Sequence, residues 1–400
     1  MRISTAGFHR ATLEALNSRQ ADLAKTQGQI ASGKRVGSPS DDPSAMVHIL
    51  QLQRGLAQSE QYGRNGGTAM NRLSLEEQSL ADATSILQSV RDLAVQANSA
   101  SLSDSDRAAI ATEIDQKFNA LMDLANQKDA AGDYLFAGTA AQTQPFSRAN
   151  GVVSYAGNTN IREIQTSASQ KIPDGHSGYD VFMDVKEANG TFTVAPGGAN
   201  TGSVAIQRSA LTNSAAWTPG TYTITFTSPT AYQVTDAADP TNTVIASGPY
   251  VTGDTVSFNG AQVTFDGVPA TGDSFTVAPA TTEDIFTTVN NLREALRAST
   301  GAPNLKAQLT STLGATLTQL DNSLAHVSEV RSEVGARLNS LDDTESNRLD
   351  AKLTLESTLS DLKDLDYAEA VSRLTLQQTG LQAAQAAYAR LAQLSLFDYL

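Results

Sequence analysis

The run Gly28–Arg35 is the stretch of this sequence whose spacing comes nearest to a chemical motif. It reads GQIASGKR and matches G-x-x-x-x-G-K, a loop whose backbone amides and lysine bind nucleotide phosphates. Arg35 stands where a Ser or Thr hydroxyl would ligate Mg²⁺. The residues before the loop have a helical pattern, whereas the motif follows a buried strand, and Gly33 suits the residue that closes a helix. We therefore predict no nucleotide site here.

Metal chemistry has no support in the spacing of the histidines. The four histidines are far apart and share no ligand spacing: His9, His48, His176 and His326. Cysteine is absent, which excludes disulfides and thiolate metal sites. We expect surface or half-buried histidines, with no metal and no cofactor.

The carboxylates have structural explanations. Asp41 and Asp42 form a pair, but Asp42 followed by Pro43 is a helix start, with a side-chain acceptor at the N-cap and proline at the first helical position. Three further aspartates adjoin glycines in turn-like sequences, where turn chemistry accounts for them: Asp254, Asp266 and Asp273. A calcium loop would need more oxygen ligands close in sequence. With no nucleophile elbow and no dinucleotide fingerprint, we predict that the chain is not an enzyme.

The composition limits the kinds of partner. The chain has 28 Lys and Arg against 42 Asp and Glu, a formal net charge of −14. This balance argues against nucleic acid or an anionic membrane as the main partner, because both require a basic patch. No stretch approaches the roughly 18 apolar residues of a membrane helix, and the N-terminus lacks the apolar region of a cleaved signal peptide. We expect a cytoplasmic protein, or one exported without a cleaved signal.

Helical patterns occupy the first third of the chain. We predict helices over residues 10–31, from Pro43 to about Asn98, and from about Asp104 to Asp129, the last capped by Ser103 or Asp104. Glycines between Gly63 and Gly67 mark where a bend would form in the second helix. Apolar residues of this helix follow a strict 3–4 spacing that predicts a buried stripe: Leu80, Ala83, Leu87, Val90, Ala94 and Ala97.

The middle of the chain changes to a two-residue period. GTYTITFTS, DTVSFNG, AQVTFDG and DSFTVAP alternate in polarity between Gly, Asp and Asn turns, which predicts strands. Arg208 is the one basic residue between Lys186 and Arg293. Helical patterns return at 282–298, at 304–362 and over the C-terminal residues.

The predicted fold class is α+β and multidomain. N- and C-terminal segments build an elongated α-helical rod or bundle, and an all-β domain is inserted between them. The expected segments are 1–43 (N-terminal helix and loop, which pairs with the C-terminus), 44–150 (N-terminal half of the rod), 151–280 (β-domain), 281–365 (C-terminal half) and 366–400 (C-terminal coiled-coil helix).

Two narrow apolar stripes lie at opposite ends of the chain with coiled-coil spacing. The residues of the N-terminal stripe are Leu13, Leu16, Leu23 and Ile30. Those of the C-terminal stripe are Leu374, Leu381, Tyr388 and Leu391, with Leu396 and Phe397 beyond them. Each stripe either packs within its own molecule or docks on a neighbour, and the pattern does not decide between these alternatives. We expect both ends to be loosely ordered alone and to order on docking.

Three segments resemble the bacterial flagellin superfamily. SGKRVGSPSDDPSAMV (Ser32–Val47) is similar to the loop that leads into the long helix of the family, and VRSEVGARLNSLDD (Val330–Asp343) to its C-terminal signature. GDYLFAGTAAQTQPF (Gly132–Phe146) resembles the hairpin of those members that form the hook–filament junction. The resemblance covers residues 1–155 and 280–400.

This resemblance implies a structural subunit of the external flagellum, with a helical rod and an outward β-domain. The subunit would form a ring by head-to-tail contacts with itself, between hook-associated protein 1 and the flagellin filament. It would be secreted through the flagellar type III channel after an export chaperone binds its C-terminal region. The two apolar stripes would then form the assembly interface. Two alternatives remain: a flagellin filament subunit, or a non-flagellar secreted adhesin whose β-insert binds a ligand.

Overall fold

A computed structural model describes residues 5–99, 101–298 and 300–397, with side-chain environments for all of these except residues 5, 6, 8, 9 and 391–397. The described chain divides into two compact units. Residues 5–64 and 343–397 form the terminal unit, and residues 65–342 form the central unit. Two long helices contribute residues to both.

The helices lie at the two ends of the sequence. They are α1 (Thr5–Ser32), α2 (Pro43–Ala97), α3 (Asp104–Ala125), α4 (Ile285–Arg297), α5 (Pro303–Lys363) and α6 (Tyr367–Phe397). The helix α2 continues unbroken through Gly63–Gly67.

The strands lie between α3 and α4. They are β1 (Phe146–Ala149), β2 (Val152–Tyr155), β3 (Glu163–Gln165), β4 (Lys171–Pro173), β5 (Val185–Lys186), β6 (Phe192–Pro196), β7 (Ala205–Leu211), β8 (Tyr222–Ser228), β9 (Ala231–Asp236), β10 (Val244–Pro249), β11 (Thr255–Phe258), β12 (Ala261–Asp266), β13 (Ser274–Pro279) and β14 (Thr282–Glu283). The predicted fold class, helical ends around inserted antiparallel β-structure, is confirmed.

The helical core of the central unit contains the stripe predicted on α2. Its six residues are at most 2% exposed. α3 adds Ile110, Ile114, Phe118 and Leu121 to the same core, and α5 adds Leu320, Val327, Val334 and Leu341. Arg331 lies on α5 between Val327 and Val334, and its Nη2 donates to Glu77 Oε1 of α2 at 2.6 Å, so an ion pair accounts for a charged residue beside this core.

Three helix boundaries differ from the sequence prediction by three or more residues. α1 begins at Thr5 instead of residue 10. α3 ends at Ala125 instead of Asp129. The side chain of the next residue, Asn126, pairs with the backbone N–H and carbonyl of Phe146, both at 3.0 Å, and so holds the end of the helix against β1. α4 begins at Ile285 instead of residue 282. Asp284 caps it by accepting from Thr287 N at 2.7 Å, and Thr282 and Glu283 pair with β5 instead.

Two antiparallel sheets share a separate β-core. One has the strand order β10-β9-β8-β13-β6 and the other β11-β12-β7. Rings from both sheets meet in this core: Phe226 of β8 lies 5.5 Å from Phe265 of β12, and Phe265 lies 4.7 Å from Phe275 of β13, between centroids. Strands β1 to β4 form hairpins whose apolar residues, among them Val153 and Ile172, join the helical core.

Several elements were not predicted from the sequence. The sequence did not predict these strands individually: β3 to β7, β9, β10 and β14. Of these, β10 is an edge strand whose side chains are mostly exposed, so it lacks strong alternation. A π-helical turn at Tyr179–Met183 was also missed. It buries Val181 and Phe182 in the helical core.

Candidate assembly interface

The two terminal helices, α1 and α6, pack against each other within the terminal unit. The chain segments at one end of this pair are joined through their backbones. Leu365 N donates to Gly33 O at 3.0 Å, and Arg35 N donates to Lys363 O at 2.7 Å. The Arg35 guanidinium also donates to Leu362 O at 2.6 Å. These bonds fix where α1 ends relative to where α6 begins.

Gly33 closes α1 in the left-handed region, with φ of +67°, as the sequence predicted. A Cβ at this position would lie 2.8 Å from the Tyr367 hydroxyl oxygen. The backbone conformation therefore favours glycine at this position, and a Cβ would also require the Tyr367 hydroxyl to shift. The GKR run thus links the end of α1 to the backbone that precedes α6, to which the Arg35 guanidinium donates a hydrogen bond.

The two neighbouring aspartates each order backbone. Asp42 caps α2 by accepting from Ala45 N at 2.9 Å, as predicted. Asp41 accepts from Ser38 N at 2.9 Å and Gly37 N at 3.2 Å. The bonds from Ser38 and Gly37 hold the pKa of Asp41 below its usual value, and Lys25 Nζ lies 3.3 Å away.

The apolar stripes lie on these packed helices, but their contact leaves the side chains incompletely covered. Leu16, Leu23 and Ile30 of α1 are half-buried, and Leu13 is 46% exposed. On α6, Leu374, Leu381 and Tyr388 are half-buried. The side chains of Leu391, Leu396 and Phe397 lie outside the described residues. Among described side chains, the fully buried ones on the two helices are small: Thr26 and Ala370.

Further apolar side chains of the terminal unit are exposed, and the sequence interpretation did not select them. They are Val47 (54% exposed) and Leu50 (47%) on α2, Leu349 (50%) and Leu353 (68%) on α5, and Tyr367 (54%), Val371 (50%) and Leu376 (74%) on α6. The spacings Val47–Leu50 and Leu349–Leu353 are helical spacings and give some signal. The signal is incomplete, because spacing does not reveal whether another element covers the stripe. This unit exposes apolar surface on several helices, a property typical of interaction sites.

The remaining polar candidates have structural partners. His48 is exposed, and His326 Nε2 lies 2.7 Å from Asp180 O. His176 is buried, so the expectation of a surface or half-buried histidine is wrong for this residue. Asp254 accepts from Val251 N at 2.8 Å and Asp273 from Ala270 N at 2.9 Å, both within local turns as predicted. Asp273 is also buried and accepts from Thr201 N at 2.8 Å, in a loop far away in sequence. Asp266 ends β12 and accepts from Gly267 N at 3.0 Å. Within the described ranges, no group of three or more His, Asp or Glu side chains is placed to hold a metal ion.

Over residues 5–99, 101–298 and 300–397, none of the helices combines the length and the apolar character needed to span a bilayer.

Family models match both helical ends and the β-core. Residues 3–141 match the bacterial flagellin N-terminal helical region, and residues 317–400 match the bacterial flagellin C-terminal helical region. Residues 197–279 match the D2-like domain of flagellar hook-associated protein 1. The helical ends and the β-core therefore each have a counterpart among flagellar proteins.

Individual relatives are more specific. Flagellar hook-associated protein 3 of Escherichia coli strain K12 is 36% identical over 185 residues, which are 46% of this chain and 58% of the relative, so the match spans somewhat over half the length of that protein. The crystal structure of Xanthomonas campestris FlgL in space group C2 is 32% identical, with a TM-score of 0.73 over 77% of this chain and 99% of that one. Hook-associated protein 3 of Legionella pneumophila is 31% identical, with a TM-score of 0.75 over 78% of this chain and 98% of that one. This chain therefore belongs to the flagellar hook-associated protein 3 (FlgL) family.

Proposed function

We propose that this chain is a structural, non-catalytic subunit of the bacterial flagellum that forms the junction ring between hook-associated protein 1 and the flagellin filament. The observation that carries the proposal is the similarity over 98–99% of solved hook-associated protein 3 chains at 31–32% identity. The Legionella pneumophila FlgL structure is itself called a flagellar junction protein. The subunit is secreted, acts at the hook–filament junction, and binds neither nucleic acid nor membrane.

Assembly uses the terminal unit. The described residues of its α1 and α6 stripes are half-buried or, at Leu13, exposed, and α2, α5 and α6 expose large apolar side chains. Burying one such side chain in a partner contributes about 1.5–3 kcal/mol. Docking different surfaces of neighbouring copies head to tail builds rings and helical tubes. The proposed interface includes exposed leucines such as Leu353 and Leu376 together with the residues of the two stripes: Leu13, Leu16, Leu23, Ile30, Leu374, Leu381, Tyr388, Leu391, Leu396 and Phe397.

Export precedes assembly in this account. The chain passes through the flagellar type III channel, and an export chaperone binds its C-terminal region beforehand. Half-buried terminal helices suit a segment that orders fully on docking, since the apolar surface needed for its stability comes partly from the partner.

Immunogold labelling with antibodies against residues 192–279 tests the location. The expected result is a single band at the hook–filament boundary of flagellated cells. Label along the whole filament would indicate a flagellin subunit instead. Label over the surface of cells without hooks would indicate an adhesin, and either result would refute the junction role. Cells lacking the gene, treated with the same antibodies, provide the control for specificity.

A further inference from the structure

His176 is a buried histidine held between two carboxylates of different helices in the central unit. Its side chain is 6% exposed. Nδ1 lies 2.8 Å from Glu76 Oε1 of α2, and Nε2 lies 3.2 Å from Glu333 Oε2 of α5. The backbone N–H of His176 donates to the same Glu76 oxygen at 3.1 Å. One residue of a connecting segment therefore contacts two long helices.

The protonation state of the ring decides whether both contacts are hydrogen bonds. A neutral imidazole has one donor and one acceptor, whereas the imidazolium has two donors. Because ionised carboxylates only accept, the neutral ring can donate to Glu76 or to Glu333 but not to both. The side chain of Glu76 is 2% exposed, and its Oε2 has no hydrogen-bond partner among the described residues. The hydrogen bonds that this buried carboxylate accepts through Oε1 come from the ring and the backbone N–H of His176.

The neighbouring charges favour the imidazolium on balance. Burial lowers the pKa of His176, but the hydrogen bond and charge of Glu76, with the hydrogen bond of Glu333, raise it above its ordinary value. The positive charge of Arg337 lowers the pKa of His176. Arg337 Nη2 lies 3.4 Å from Glu333 Oε2, and its Nη1 donates to Gly175 O at 3.1 Å. Other charged groups lie around the segment. Arg72 of α2 pairs with Asp129 and Asp174, and Arg162 also pairs with Asp174. Lys171 and Glu163 pair on the segment itself. The remaining ionisable groups line the adjoining groove: Asp180, Asp184, Lys186, His326 and Glu329.

Protons can reach the ring from solvent. His176, Glu333 and Arg337 line a groove of about 750 Å³. The Glu333 side chain is 56% exposed, whereas Glu76 is enclosed. The ring can thus exchange its proton without unfolding of the unit.

We propose that His176 is a proton-dependent latch: as imidazolium it bridges Glu76 and Glu333 and so adds a contact from the segment 162–177 to both α2 and α5, and on losing its proton it gives up its hydrogen bond to one of the two carboxylates. Because the pKa of His176 is raised in the folded state, the added stability is complete below the unfolded pKa and is lost as the pH rises through the folded value. The segment is thus held most firmly under mildly acidic conditions.

Two measurements test the latch: thermal unfolding between about pH 5.5 and about pH 8.5, and NMR titration of the His176 ring over the same range. The melting temperature of the full chain should fall by roughly 2–4 °C more over this range than that of the His176→Gln variant. The ring should titrate above about 6.5, the ordinary value for histidine. His48→Gln, which removes an exposed histidine of α2, is the matched control and should leave the pH dependence unchanged.

Glu333→Gln provides a second variant if His176→Gln does not fold. It removes the more exposed carboxylate, keeps Glu76 in place, and should lower the pKa of His176 while reducing the pH dependence of the melting temperature. A ring that titrates at or below about 6.5 in the full chain would overturn the latch. An unchanged pH dependence in whichever of the two variants folds would overturn it as well.

Discussion

Two apolar stripes with the same helical spacing have different surroundings in the two units. The stripe from Leu80 to Ala97 on α2 is at most 2% exposed, whereas Leu374, Leu381 and Tyr388 on α6 are half-buried. The central unit covers its stripe with α3, α4, α5 and hairpin residues. The described side chains of α6 are covered mainly by α1. Spacing therefore identifies the apolar face of a helix, but the elements packed on that face determine how far it is buried.

The difference has a functional meaning. A stripe that is already enclosed stabilises its own unit and has little exposed apolar surface that a partner could bury. A half-buried stripe contributes part of its free energy at folding and the remainder on docking. The central unit is accordingly the stable framework, and the terminal unit is the surface we propose for assembly.

Removing a buried ring from the central unit should have the largest effect on stability. Phe286 is fully buried and contacts Phe118, Phe146 and Phe182, with centroid distances of 5.2–6.1 Å. Phe286→Ala should lower the free energy of unfolding by about 3–5 kcal/mol, measured by denaturant titration followed by circular dichroism. Leu376→Ala, at a residue 74% exposed, should change it by less than about 0.5 kcal/mol. Equal losses in the two variants would contradict the comparison.

Two alanine substitutions distinguish Gly33, which closes α1, from a glycine inside a helix. Gly33→Ala should lower the free energy of unfolding by about 1–2 kcal/mol, because alanine is strained at a φ of +67°. The close Tyr367 hydroxyl adds to this cost. Gly67→Ala, within α2 and with open space around the new methyl group, should instead stabilise by about 0.5–1 kcal/mol. Stabilisation by both substitutions would show that Gly33 does not close α1 in the left-handed conformation.

A pH effect of smaller size is expected at the start of α3. Hydrogen bonds from Thr300 and Arg107 lower the pKa of Asp104 to about 2. Since the folded pKa is depressed, this stabilisation is present above the ordinary value of 3.8 and is lost as the pH falls toward about 2. Carbon-13 titration of the carboxyl should give a midpoint near 2, and Thr300→Val should move it toward 3.8. A midpoint at 3.8 in the full chain would contradict the contact.

Local signals predicted much of this fold. Asp42 before Pro43 predicted a cap that the structure contains, and Gly33 predicted a helix end with positive φ. The heptad spacing placed Leu16 and Leu374 on the helices that pack together. Each of these features depends on residues close in sequence, whose geometry the backbone itself largely determines.

Features that depend on distant residues were missed. The end of α3 is determined by Asn126 pairing with Phe146, twenty residues later. The His176 contacts join residues 100 and 157 positions apart, and no spacing rule relates them. The exposure of Leu353 and Leu376 could not be predicted either. It depends on whether another element packs on that face of the helix, which the local sequence does not reveal.

The most direct test of the account compares two double variants in cells that lack their own copy of the gene. Leu353→Gln with Leu376→Gln removes exposed leucines of the terminal unit, and Val251→Gln with Val268→Gln removes similarly exposed valines of the central unit. Electron microscopy would count the hooks that carry filaments, with the amount of exported protein measured in parallel. At equal export, the leucine variant should lower the count at least about tenfold, as expected for a loss of 1.4 kcal/mol or more in docking. The valine variant should leave the count unchanged. Full attachment with the leucine variant, or loss with the valine variant alone, would contradict the assignment of assembly to the terminal unit.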